Sequence, residues 1–162
     1  ECPQIEVKSF FGKKYMVSIS NAVADGFQNN MLHKSEMGGF TFTGNDMFVA
    51  YNEIYNMGEN AADVACIYTG RSYVRTNNEI AYNYVYNSRP VVGNMFNHHR
   101  GIYLDDGTSG QYVHNNIANN ATHIQQQACD CNPTQHNKGW KIGNSSCLEK
   151  HHQYRNKENQ CY

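Results

Sequence analysis

The sequence predicts an all-β solenoid: a short right-handed parallel β-helix with a disulfide-rich C-terminal cap. Three observations point there. The chain of 162 residues holds 22 Asn and 12 Tyr, with only 17% charged residues. Asn is a poor former of helix and strand interiors but suits tight corners, where it tolerates left-handed backbone geometry. A second observation is a repeat of short strands and corners through the middle of the chain. The third is the scarcity of hairpin turns: Asp25-Gly26 and Asp106-Gly107 are the only Asp-Gly pairs, and Asn-Gly is absent.

The elements follow in order. The first 30 residues read as a partial leading coil, with Tyr15-Met16-Val17-Ser18-Ile19 as its strand. Three units then line up. Gly39-Phe40-Thr41-Phe42-Thr43-Gly44 leads to Asn52-Glu53-Ile54. Cys66-Ile67-Tyr68-Thr69-Gly70-Arg71 leads to Asn78-Glu79-Ile80. Gly101-Ile102-Tyr103-Leu104-Asp105-Asp106 leads to Asn116-Ile117. The third unit is delayed by an insertion, Ser88 to His99. Strand side chains alternate between faces. Phe40/Ile67/Ile102 and Phe42/Thr69/Leu104 should therefore stack inward, with Thr41/Tyr68/Tyr103 and Thr43/Gly70/Asp105 outward. Asn52, Asn78 and Asn116 are expected to form one internal amide ladder, and Glu53 and Glu79 to repeat in register. The coils are assigned to residues 1–125. Residues 126–162, which hold Trp140 and four of the six cysteines, are assigned to a cap of the same domain.

Charge and cysteine usage limit the function. Lys and Arg number 13 and Asp and Glu 14, so the net charge is 13 − 14 = −1. No basic footprint for nucleic acid or an anionic membrane surface is present, and no apolar run is long enough to span a bilayer. The chain opens with Glu1-Cys2-Pro3 and without Met, which reads as a processed, secreted chain. Cys2, Cys66, Cys129, Cys131, Cys147 and Cys161 are then disulfide candidates of undetermined connectivity. The alternatives are free thiols, or a zinc site at Cys129-Asp130-Cys131 with His123 and His136, for which the usual knuckle spacing is missing. Asn120 and Asn144 head glycosylation sequons.

The residues also suggest a site. Asp105 and Asp106 are adjacent carboxylates at a strand end, and carboxylates sharing a groove can divide acid and base roles. Arg71 should lie one coil away and orient Asp106. Tyr68 and Tyr103 offer aromatic faces for sugar rings. His99 and Arg100 enter just before the strand, and Asp63 lies in the loop before the preceding one. No cofactor is expected; the alternative use of Asp105 and Asp106 is calcium binding.

From about residue 29 to 120 the chain resembles the secreted, carbohydrate-active proteins of right-handed parallel β-helix fold, pectate-lyase-like and glycoside-hydrolase-like. The likeness rests on Asn52-Glu53-Ile54-Tyr55-Asn56, Asp63, Ile67-Tyr68-Thr69-Gly70-Arg71, Asn78-Glu79-Ile80, Tyr82-Asn83-Tyr84, and above all Gly101 to Gly110. It implies a glycan-directed site on the outer face of the strand ending in Asp105. The expected function is glycoside hydrolysis, or lyase cleavage, of an extracellular polysaccharide. The alternative is a non-catalytic glycan-binding or structural matrix protein. The expected partner is a polysaccharide or glycoprotein glycan, with end-to-end self-association as a further option and neither nucleic acid nor membrane.

Overall fold

The structure is a computed structural model. It describes residues 15–59, 61, 63–72, 74–88, 100–105 and 108–119, and the backbone alone of 123–126 and 134–135. The chain winds through four coils of three short strands. The first coil is β1 (Tyr15–Val23), β2 (Gly26–Gln28) and β3 (Met31–Ser35). The second is β4 (Gly38–Asn45), β5 (Phe48–Ala50) and β6 (Glu53–Met57). The third is β7 (Ala65–Thr69), β8 (Asn78–Ala81) and β9 (Tyr84–Tyr86). The fourth is β10 (Arg100–Leu104), β11 (Gln111–His114) and β12 (Ile117–Asn119). Two more strands, β13 (His123–Gln126) and β14 (Thr134–Gln135), extend the first two sheets.

Like strands of successive coils pair side by side. The first sheet runs β1-β4-β7-β10-β13, the second β2-β5-β8-β11-β14 and the third β3-β6-β9-β12. Every strand pair among the described residues is parallel. The expected all-β, parallel β-helix-like arrangement is therefore present, and the leading coil is a full three-strand coil instead of a partial one.

The inward stacks form as expected. Phe40 pairs with Ile67 and Ile67 with Ile102, and all three are completely buried. Leu104 pairs with Thr69, whose hydroxyl donates to the Phe42 carbonyl at 3.0 Å. Leu32, Ile54, Val49, Ile80, Val85 and Val113 fill the same core from the other two sheets. Burying each such side chain contributes about 1.5–3 kcal/mol. No single coil can do this, because each side chain needs the coil above or below.

The corner between the second and third sheets explains the Asn content. Asn29, Tyr51, Tyr82 and Asn115 take left-handed backbone angles, with φ of 57°, 57°, 57° and 53°. The residue that follows each is an inward Asn. The Asn30 side-chain amide donates to Asn52 at 3.0 Å, Asn52 to Asn83 at 2.9 Å and Asn83 to Asn116 at 2.9 Å. Each inner amide also donates to a backbone carbonyl in the second-sheet strand of the preceding coil, Asn52 to Phe27, Asn83 to Val49 and Asn116 to Ile80. Buried amides are thus satisfied by one another and by the corner itself.

Two expectations about register are corrected here. Asn78 is not in this ladder: it donates to Gln111 at 2.9 Å and to the Gly44 carbonyl at 3.1 Å, at the corner between the first and second sheets. Nor do Glu53 and Glu79 stack, because Glu53 pairs with Tyr84 in the third sheet, whereas Glu79 pairs with Phe48 and Tyr112 in the second. Asn-Glu-Ile opens a second-sheet strand in one coil and leads into a third-sheet strand in another.

Cys66 is a correction as well. It is a free thiol, fully buried among the core residues, not half of a disulfide. Burial pushes the thiol up to about 12, against a smaller lowering by its hydrogen bond with Ser88. Cys2, Cys129, Cys131, Cys147, Cys161, Asn120 and Asn144 lie outside the described residues.

Candidate functional site

The outer face of the first sheet carries a polar cluster where β7 and β10 end. Tyr68 and Tyr103 occupy paired positions, so their side chains leave the same face one coil apart. Asp105 follows β10 directly. Its backbone N–H donates to the Thr69 carbonyl at 2.9 Å, which continues the pairing one residue past the strand. Gly70 lies against it, and a Cβ there would come within 2.5 Å of the Asp105 Cβ. The chain can pass over this point because residue 70 has no side chain.

Asp105 is the centre of the cluster. The Tyr68 hydroxyl donates to Oδ2 at 2.6 Å, and the Tyr103 hydroxyl to Oδ1 at 2.7 Å. Arg71 Nε donates to Oδ2 at 3.3 Å. The Asp105 side chain is 4% exposed, whereas that of Arg71 is 70% exposed. Burial, and then the hydrogen bond to Asp105, push both phenols above their ordinary range. They therefore remain protonated donors at any physiological pH.

A second charged pair flanks the first. Arg100, the first residue of β10, is buried and donates to Asp63 Oδ1 at 2.6 Å. Its guanidinium also lies 3.9 Å from the centroid of the Tyr103 ring. A buried guanidinium requires such compensation, and the contact with the ring adds about 0.5–2 kcal/mol. The Asp63 side chain is 44% exposed, so it is the more accessible carboxylate of the two. Asp63 and Arg71 both hold left-handed backbone angles, φ 59° and 61°, at either end of the β7 segment. Such angles are uncommon for residues other than Gly, Asn or Asp.

Tyr15 completes the aromatic part. Its ring lies 5.1 Å from that of Tyr68, and Tyr68 meets Tyr103 at 5.3 Å, nearly edge to face. The Tyr15 hydroxyl is buried and makes no hydrogen bond among the described residues. Burial, followed by the Tyr68 phenol, raises its pKa far above the ordinary range.

The structure therefore gathers Asp63, Tyr68, Arg71, Arg100, Tyr103 and Asp105 on one face. Arg71 meets Asp105, not Asp106 as expected. Asp106 and His99 lie outside the described residues. Tyr103 and Asp105 face outward but are enclosed, at 2% and 3% exposure, with Arg100 over the Tyr103 ring and two phenols on the Asp105 carboxylate. Tyr15 was missed from sequence, as it belongs to the first coil and pairs with Gly38. Its one signal is that glycine: a Cβ at Gly38 would lie 2.3 Å from the Tyr15 ring.

The arrangement offers one exposed guanidinium, Arg71, one accessible carboxylate, Asp63, and aromatic rings in one place, groups suited to recognition of a polyhydroxylated ligand. Among the described residues no three His, Cys, Asp or Glu side chains are placed to hold a metal ion. The calcium alternative requires Asp106. No helix among the described residues is long and apolar enough to cross a membrane. The chain matches no protein-family model, no curated protein and no solved structure.

Proposed function

We propose that the protein is a secreted right-handed β-helix that cleaves an extracellular polysaccharide at the outer face of its first sheet. The observation that carries this reading is the convergence of Tyr68, Tyr103 and Arg71 on Asp105, with the Asp63–Arg100 pair against the same rings. In a glycoside hydrolase one carboxyl group protonates the bridging oxygen as its bond to the anomeric carbon breaks. A second carboxylate activates water or attacks that carbon. Asp105 and Asp106 are assigned these two parts, with Tyr68 and Tyr103 holding Asp105 and Arg71 at the rim to meet the sugar. The Tyr15 hydroxyl gains a partner if a sugar oxygen reaches it, which removes the cost of about 1–3 kcal/mol of leaving a buried hydroxyl unpaired. A lyase is the chemical variant. There a base takes the proton next to a uronate carboxylate, and Arg71, His99 and Arg100 become the groups that bind the acid.

One observation favours a second reading, in which the site binds glycan without cutting it. The Asp105 carboxylate is nearly enclosed and accepts from two phenols and a guanidinium, so a substrate reaches it only by displacing one of them. A polysaccharide panel separates the two. Reducing ends, unsaturated ends and retention are followed for wild type and for an Asp105→Asn, Asp106→Asn double variant. Product formed by the wild type and lost in a folded variant supports cleavage. No product from any glycan overturns it, and retention of wild type and variant alike on one glycan supports binding at other residues.

A further inference from the structure

We infer that a second face of the solenoid is a binding platform for a neutral polysaccharide, built by Tyr51, Tyr82, Tyr84, Tyr86 and Tyr55. The inference is independent of whether the first sheet is catalytic. It begins with a backbone anomaly. The left-handed corner between the second and third sheets is occupied by Asn29 and Asn115 in the first and fourth coils, but by Tyr51 and Tyr82 in the second and third. Asn suits that geometry, whereas a bulky side chain there is strained. Strain retained at a position points to a use for the side chain.

The rings are placed for such a use. Tyr51 and Tyr82 are 52% and 44% exposed and lie parallel, 5.1 Å apart. Tyr82 and Tyr84 flank the inward Asn83, and Tyr84 is 38% exposed. Tyr84 continues to Tyr86 at 4.6 Å and Tyr86 to Tyr55 at 4.6 Å, crossing from the third coil back to the second. The array thus follows the solenoid axis over two coils, which suits a polymer better than a single sugar. A pyranose ring packs its C–H face on aromatic carbon, and its hydroxyls find the phenols and Glu53, which accepts from the Tyr86 hydroxyl at 2.8 Å.

Charge selects the class of glycan. The outward rows that alternate with the core residues Leu32, Ile54, Val85 and Ala118 are Met31/Glu53/Tyr84/Ile117 and His33/Tyr55/Tyr86/Asn119. They carry one carboxylate and neither Lys nor Arg. Lys34 is exposed in β3 of the first coil, but β6 and β9, which carry Tyr55, Tyr84 and Tyr86, hold no Lys or Arg to meet a uronate or sulfate chain, in contrast to the first sheet with Arg71.

The test uses Tyr51→Asn, Tyr82→Asn in one chain, which places the favoured corner residue at both strained positions. Retention on insoluble cellulose and chitin, migration in gels containing soluble polygalacturonate, thermal midpoint and sedimentation are measured. The inference predicts wild-type retention on a neutral polymer, at least a tenfold loss of that affinity in the double variant, and an unchanged or higher thermal midpoint. Tyr84→Ala should weaken retention too. Val74→Ser, which removes another exposed apolar side chain (80% exposed), should not. Retention of the double variant equal to wild type overturns the inference. So does a wild type that binds neither neutral polymer, or a tyrosine dependence seen only with polygalacturonate. A dimer of the wild type that the double variant loses, without retention on glycan, assigns the face to a second copy instead.

Discussion

The inside corner of this solenoid and the outer face of its first sheet both bury polar side chains, and they do so in opposite ways. The Asn30–Asn52–Asn83–Asn116 ladder repeats once per coil, with the same amide-to-amide bond at each step and the same type of backbone partner for Asn52, Asn83 and Asn116. Among the described residues the cluster at Asp105 occurs once, joins unlike groups from around β7 and β10 and mixes charge with phenols. Repetition marks architecture: each amide is needed to close its own coil. A polar constellation that the repeat does not require is the better candidate for function.

The largest effect expected from this contrast is in the ladder. Asn83→Ala removes the acceptor of the Asn52 backbone and side-chain N–H groups and the donor to the Val49 carbonyl. Several buried groups lose a partner at once, so urea unfolding should show a loss of about 3 kcal/mol or more. A loss under about 1 kcal/mol would mean that the corner repacks and that the ladder is not what closes the coils.

Alkaline pH acts on one of the two regions only, since amides do not titrate and phenols do. Tyr15, Tyr68 and Tyr103 are raised above their ordinary 10.0 in the folded chain, and Cys66 is raised from 9.0 to about 12. The folded state therefore keeps protons that the unfolded chain releases. Their contribution to stability is intact below pH 9 and is lost as pH rises above it. Each group fully released in the unfolded chain and still protonated in the folded one steepens the loss by about 1.4 kcal/mol per pH unit. Unfolding followed from pH 7 to 11 should show stability falling from about pH 9, and Cys66→Ala should delay the fall to about pH 10.

Asp105→Asn should cost less than the ladder variant, about 1–3 kcal/mol, because the amide oxygen still accepts from one phenol and the other hydroxyl can turn to accept from the new NH2 group. Arg71→Gln should change stability least, by under about 1 kcal/mol, since an exposed ion pair contributes little. Its effect belongs in glycan affinity, which binding isotherms on the retained glycan would report.

Much of the fold was legible because strand alternation is strict. Phe40, Ile67 and Ile102 had to share a face once Gly-Phe-Thr-Phe and Gly-Ile-Tyr-Leu were aligned. The register of the later strands was not legible. Asn precedes the third-sheet strand in every coil, but in the third coil an Asn also opens the second-sheet strand, so Asn78-Glu79-Ile80 resembles Asn52-Glu53-Ile54 without pairing with it. The site was half legible. Its residue types and strand ends were readable, but the enclosure of Asp105 and Tyr103, with Arg100 over a ring and two phenols aimed at one carboxylate, was not. Alternation says which way a side chain leaves the sheet and says nothing of what then covers it.

The central claim is that the Asp105 cluster is retained for what it binds or cuts and not for holding the coils together. The direct test is to measure unfolding free energy and glycan product or retention on the same preparations of wild type, Asp105→Asn and Asn83→Ala. The account predicts that Asp105→Asn stays folded with the smaller stability loss and loses at least about 100-fold in product formation or affinity, roughly 2.7 kcal/mol. Unchanged product and retention in Asp105→Asn, with a stability loss as large as that of Asn83→Ala, would contradict it and make the cluster one more structural clasp.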